Sequence, residues 1–135
     1  MAATDLALGT IHQISLPSSD IERSVGFYRD KLGAELIAKF DPPGLAFFDF
    51  NGVRLLLSGM ASDTGSGNTA LYFRVDDIDA AYQSLSTAGI KFEGKPQMIY
   101  RDAEGTFGAT GNEEWMAFFQ DPDGNTLALA SQKAP

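Results

Sequence analysis

The stretch Ala46–Ser58, AFFDFNGVRLLLS, returns later as Ala117–Ala130, AFFQDPDGNTLALA. Each copy has two aromatics, a short polar turn containing glycine, and an alternating apolar run, which is the pattern of a β-hairpin with one buried face. A hairpin written twice in 135 residues points to a duplicated unit, and a repeat governs the reading of the whole fold. The segments upstream follow the same plan. SDIERSVGFYRDKLG (19–33) carries the capping-box pair Ser19 and Glu22, then Ile21, Val25, Tyr28 and Leu32 at helical spacing, and Gly33 as a stop. DDIDAAYQSLSTAG (76–89) repeats it, with Asp76 or Asp77 as cap, Ile78, Tyr82 and Leu85 as the apolar stripe, and Gly89 as the end. Aligning Asp20 with Asp77 gives an offset of 57, and this offset also lays HQISL on ALYFR with one residue of drift. Aligning Gly52 with Gly124 gives 72, the added length falling between Lys91 and Glu114.

The order is therefore βαβββ, twice. Strands are expected over 10–16, 34–40, 45–50 and 53–58 in the first copy, and over 69–75, 90–93, 114–120 and 126–131 in the second. One unit alone leaves a half-closed sheet with an uncovered apolar face, so two must pack together, within the chain or across a dimer. The expectation is one α+β domain over 1–135, made of modules 9–60 and 68–132, whose curved sheets surround a cavity.

Composition narrows the function. A formal charge of −8 argues against a nucleic-acid surface, which needs clustered Lys and Arg. The absence of cysteine removes disulfides, zinc-thiolate sites and a Cys nucleophile together, and fits a reducing cytoplasm. There is no apolar run near the roughly 20 residues that cross a bilayer, and MAATDLALGT lacks the basic start of a signal peptide. A soluble cytoplasmic protein without a membrane partner is expected.

Three strings, ISLPSSDIERSVGFYRDKLGAEL, FRVDDIDAAYQSLSTAGI and FFQDPDGNTLALAS, resemble the vicinal oxygen chelate superfamily. This is the glyoxalase, bleomycin-resistance and extradiol-dioxygenase group, and the similarity covers nearly the whole chain. The resemblance implies the glyoxalase/bleomycin-resistance fold and, commonly, a two-fold homodimer with its cavities near the interface. In metal-dependent members it implies a divalent ion held by His or Gln on each module's first strand and Glu on each last strand. Those positions fall on Gln13, Ala70, Leu56 and Ala128, of which only Gln13 has a donor atom. Sliding the first strand by one to bring in His12 also moves its neighbours to the opposite faces. No metal and no cofactor are expected.

Period-2 alternation puts Gln13, Ser15, Arg54, Leu56, Ala70, Tyr72, Arg74 and Ala128 toward the cavity, with Ser58, Thr126 and Ala130. Phe47, Met60, Phe92, Met98, Tyr100, Phe107 and Trp115 supply wall material, Trp115 being the sole tryptophan. The glycine-rich segment 93–114 is long for a connection and is read either as a binding lid or cover or as a disordered surface excursion. Its acidic residues Asp102, Glu104, Glu113 and Glu114 would attract a cation. The resulting expectation is metal-free binding of a small aromatic or cationic molecule, with Gln13, Ser15, Arg54, Leu56, Ala70, Tyr72, Arg74, Trp115 and Ala128 as ligand-binding residues. No catalytic residue is assigned. The alternative is a lyase or isomerase of glyoxalase type, metal-dependent if the ligand register differs.

Overall fold

The computed structural model describes residues 8–59 and 69–135; Met60 lies outside them. The first module contains β1 (Gln13–Pro17), α1 (Ile21–Val25) continued by a π-helical turn over Gly26–Lys31, β2 (Glu35–Phe40), β3 (Leu45–Phe50) and β4 (Val53–Ser58). The second contains β5 (Ala70–Arg74), α2 (Ile78–Thr87), β6 (Gln97–Asp102), β7 (Asn112–Gln120) and β8 (Thr126–Lys133). Each module is one four-stranded sheet, ordered β1-β4-β3-β2 and β5-β8-β7-β6. The first strand of each runs parallel to the last, and the remaining pairs are antiparallel. The fold is α+β, with two tandem βαβββ modules. Among the described residues no helix is long and apolar enough to cross a membrane.

The repeated hairpin is preserved where it matters. Phe48 pairs with Leu55 in the first copy and Phe119 with Leu127 in the second, and all four are at most 2% exposed. The turns differ. Asn51 and Gly52, both at positive φ, close the first hairpin in two residues, whereas residues 121–125 close the second in five.

Two sequence expectations require correction. Residues 90–93 form no strand: Phe92 makes a single bridge to Phe119, and the strand lies at Gln97–Asp102. Pro96, which lacks an N–H, separates the two stretches, and regular pairing resumes one residue later. Segment 93–114 is therefore not a structureless lid but the β6–β7 hairpin, with a connection at 103–111. Asp102 organises that connection. Its buried carboxylate accepts from the Thr106 and Phe107 N–H groups at 2.7 and 2.8 Å, and its carbonyl accepts from Gly105 and Gly111.

Ser19, likewise, does not close a capping box. Asp20 caps α1 by accepting from Arg23 N, leaving Ser19 to donate from N and Oγ to Asp123 Oδ1 at 2.8 and 2.5 Å. The module junction thus takes the group that local sequence assigned to the helix. Asp77 caps α2 as the sequence suggests.

Both helices pack on their own sheets, and the buried residues of both modules merge into one cluster. The consecutive Phe27 and Tyr28 join them: Phe27 approaches Phe119 of the second sheet at 6.5 Å, and Tyr28 approaches Phe48 of the first at 5.6 Å. These rings pack the middle of the space on the helix side of the two sheets. Within one chain the faces bearing the expected site point away from this core.

Candidate functional site

On the first sheet, register puts Gln13 beside Arg54 and Asp49, and Ser15 beside Leu56 and Phe47. Ile14, Leu16, Leu55 and Leu57 alternate with these toward the core. On the second sheet Ala70, Tyr72 and Arg74 lie beside Thr126, Ala128 and Ala130, and Phe118 flanks Ala128 from the other side. The Tyr72 and Phe118 rings meet edge to face at 6.0 Å, and Tyr72 remains 54% exposed. Ala128 is fully buried between these neighbours, so it supports the rings and lines no open space.

A cleft of about 850 Å³ brings together Arg54, Ala70, Tyr72 and Arg74 at the place where the β3–β4 turn approaches β5. Glu35, Asp49 and Asn51 add polar groups to it, and Ile14, Phe50 and Phe73 add apolar wall. Beside it, a depression of about 550 Å³ on the first sheet is lined by Ile37, Phe40, Phe47, Asp49 and Arg54. Gln13, Ser15 and Leu56 share the face of Arg54 but line neither space.

Trp115 belongs to the other side. In the β7 register it alternates with Phe118 and shares the face of Ala117 and Phe119, packed against the core. Its indole N–H donates to Glu113 Oε1 at 2.9 Å, and Lys133 Nζ sits 4.0 Å from the ring centroid. Phe92 is also core-side, 4.7 Å from Tyr82 and 5.0 Å from Phe119.

The charges differ from the expected acidic trap. Asp102 is buried and satisfied, Glu113 is paired with Arg101 at 2.9 Å, and Glu114 accepts from Gln132 at 2.6 Å. Only Glu104 of the four stays exposed and uncommitted among the described residues. Among the described residues the arginines of the cleft have no carboxylate partner: Arg54 contacts the ring of His12 at 3.1 Å, and Asp49, its neighbour in register, accepts from Gly52 N instead.

The family-implied metal set does not fit these residues. Gln13 would be a lone neutral donor, Leu56 and Ala70 have none, and Ala128 is buried as well; a divalent ion needs several N or O donors. Among the described residues no three His, Cys, Asp or Glu side chains converge.

Phe47 is among the wall residues expected from sequence; Asp49, which shares its strand face, is not. The edge features had no local signal. Ile37 and Ile99 occupy matching irregularities in β2 and β6 and are 52% and 53% exposed.

Comparison with known proteins places these features in a family context. The model of the Glyoxalase/Bleomycin resistance protein/Dioxygenase superfamily matches residues 10–129. The protein YraH of Bacillus subtilis (strain 168) is 30% identical over 133 residues, covering 87% of this chain and 94% of its own. A bleomycin resistance protein of Geobacillus stearothermophilus is 34% identical over 94 residues, covering 56% and 69%. Among solved structures, a glyoxalase/bleomycin resistance protein/dioxygenase from Nocardioides has 25% identity and a TM-score of 0.70, with 96% of this chain and 89% of that one covered.

Proposed function

The chain belongs to the glyoxalase/bleomycin resistance protein/dioxygenase superfamily, and within it we propose a metal-free binding protein for small aromatic molecules whose site is completed by a second copy of the chain. One observation carries this reading: the faces bearing Arg54, Phe47 and Tyr72 point away from the shared core and stay open in the single chain. Phe40, Tyr72 and Tyr100 on these faces are each about half exposed, an apolar presentation that a lone soluble domain seldom makes without a use for it. Among the described residues β1 and β5 are terminal strands of their sheets, and a partner's strands would cover such edges. In a two-fold pair, the first sheet of one copy faces the second sheet of the other and makes two equal cavities. Rings from both sheets would then flank the ligand, with Arg54 and Arg74 as orienting groups. The relative that carries a bleomycin resistance name supports a role directed at a small molecule.

Two measurements test this. Light scattering at micromolar concentration is expected to give the dimer mass. A panel of hydroxylated, cationic and carboxylated aromatics is expected to raise the melting temperature, since a ligand at a hundred times its Kd adds about 2.7 kcal/mol. With a ligand in hand, Phe47→Ala and Tyr72→Ala, one on each sheet, should each weaken binding at least about tenfold. After unfolding and refolding the two variants together, about a quarter of the sites should recover, because half the dimers are mixed and each has one intact site. A monomer mass, a silent panel, or no recovery on mixing would sink the composite site.

A further inference from the structure

On the opposite side of the sheets lies a second space, of about 340 Å³, that the outward faces do not reach. Phe50, Phe73 and Phe119 line it together with Leu32, Leu85 and Leu129. These come from both modules, so the chamber exists only where the two meet. No charged side chain lines it, and its single polar side chain is Ser84, on the solvent side of α2.

The space is partly open to solvent, with the exposed Ser84 at its rim, and its apolar walls offer ordered water or a backbone segment almost no hydrogen-bond partners. An apolar cavity of about 150 Å³ suffices to bind benzene in another protein; this one has more than twice that volume. The surrounding core is closely filled, with Phe119 fully buried, yet Leu32, Phe50, Phe73 and Leu85 remain only partly buried although packed against it. Their uncovered surface is what a ligand would remove from water.

We propose that this chamber is a second binding site, for an uncharged aromatic molecule of one or two rings bearing at most one hydroxyl. The three Phe rings supply edge and face contacts, the absence of charge rejects ions, and Ser84 Oγ is the one group that can recognise a hydroxyl. The Phe50 and Phe73 rings, 5.1 Å apart and inclined at 40°, line both this space and the 850 Å³ cleft, as does Leu32, so the two spaces adjoin at these three side chains. The site is separate from the composite one and does not depend on dimerisation.

The test uses the intact protein and 2-naphthol, an uncharged fluorescent aromatic of two rings and one hydroxyl. Emission should rise saturably on binding. Ala81→Phe, which fills the chamber from α2, should weaken binding at least tenfold, while Ala70→Phe in the outer cleft should change it by less than twofold. Ala81→Leu serves if the larger ring prevents folding, with the melting temperature confirming the native state. Probe-induced shifts in methyl NMR spectra should concentrate on Leu85, Leu129 and Val75. No binding up to the solubility limit, wild-type affinity in the Ala81 variants, or shifts centred on Leu56 and Ala128 would overturn the proposal. Failure of the mixing experiment would leave it standing, because that experiment reads the outward faces only.

Discussion

Tyr28 and Asp121 show how much one residue pair can decide. Tyr28 is fully buried and donates to Asp121 Oδ2 at 2.8 Å, while Asn125 supplies that carboxylate with N–H donors from backbone and side chain. Burial first, and then the neighbouring Asp121 charge, push the Tyr28 phenol far above its ordinary value of about 10. The sign follows: the folded state holds the proton more tightly, so the stabilisation is complete below about pH 10 and is lost as pH rises beyond it. Tyr28→Phe is expected to cost about 1–3 kcal/mol at pH 8, measured by urea unfolding, because Asp121 keeps its other donors but loses one inside the core. Above pH 10 the gap between variant and wild type should narrow. A gap constant from pH 8 to 11 would show that Tyr28 ionises equally in both states.

At the scale of elements, two segments depart from regular geometry. In the π-helical turn, neighbours in sequence serve different sheets, Phe27 toward Phe119 and Tyr28 toward Phe48. The β6–β7 connection holds its shape through Asp102, whose carboxylate stands in for the missing backbone acceptors of Thr106 and Phe107. Asp102→Ala is expected to destabilise the protein by about 1–3 kcal/mol and to accelerate hydrogen exchange at the Thr106 and Phe107 amides. Asp102→Asn, which keeps one acceptor, should fall between. Unchanged exchange at both amides in the Ala variant would mean that the loop is held by the turn residues alone.

For the whole molecule, the decisive fact is that both modules share one core. Thermal unfolding is therefore expected as a single transition, with calorimetric and van't Hoff enthalpies in agreement. The Ser19–Asp123 contact is the surface counterpart of that core. Ser24 and Arg23 also reach Asp123, and these donors outweigh its partial burial and hold the carboxyl below its usual range. Its stabilisation is therefore present above the ordinary Asp value near 4 and lost as pH falls below it. Ser19→Ala and Asp123→Ala should couple by about 0.5–3 kcal/mol in a double-mutant cycle at pH 7, with less coupling at pH 3. Two separate melting transitions, or no coupling at pH 7, would refute a jointly stabilised pair of modules.

The amino-acid sequence by itself determined the duplication, because hairpins, caps and helix stripes are local patterns repeated at readable offsets. It also determined which strand residues share a face, since alternation is a property of each strand: Arg54 with Leu56 and Gln13, and Tyr72 with Ala70 and Arg74. The donor-poor character of the metal positions was legible for the same reason. Only the tertiary structure decided which way those faces look. Whether paired sheets close over a cavity or press their helix sides together depends on contacts between residues about a hundred positions apart, such as Tyr28 with Asp121 and Ser19 with Asp123. Trp115 and the loop carboxylates were misjudged on the same ground. Their roles come from cross-strand register and from partners such as Arg101 and Lys133, which no local window of sequence contains.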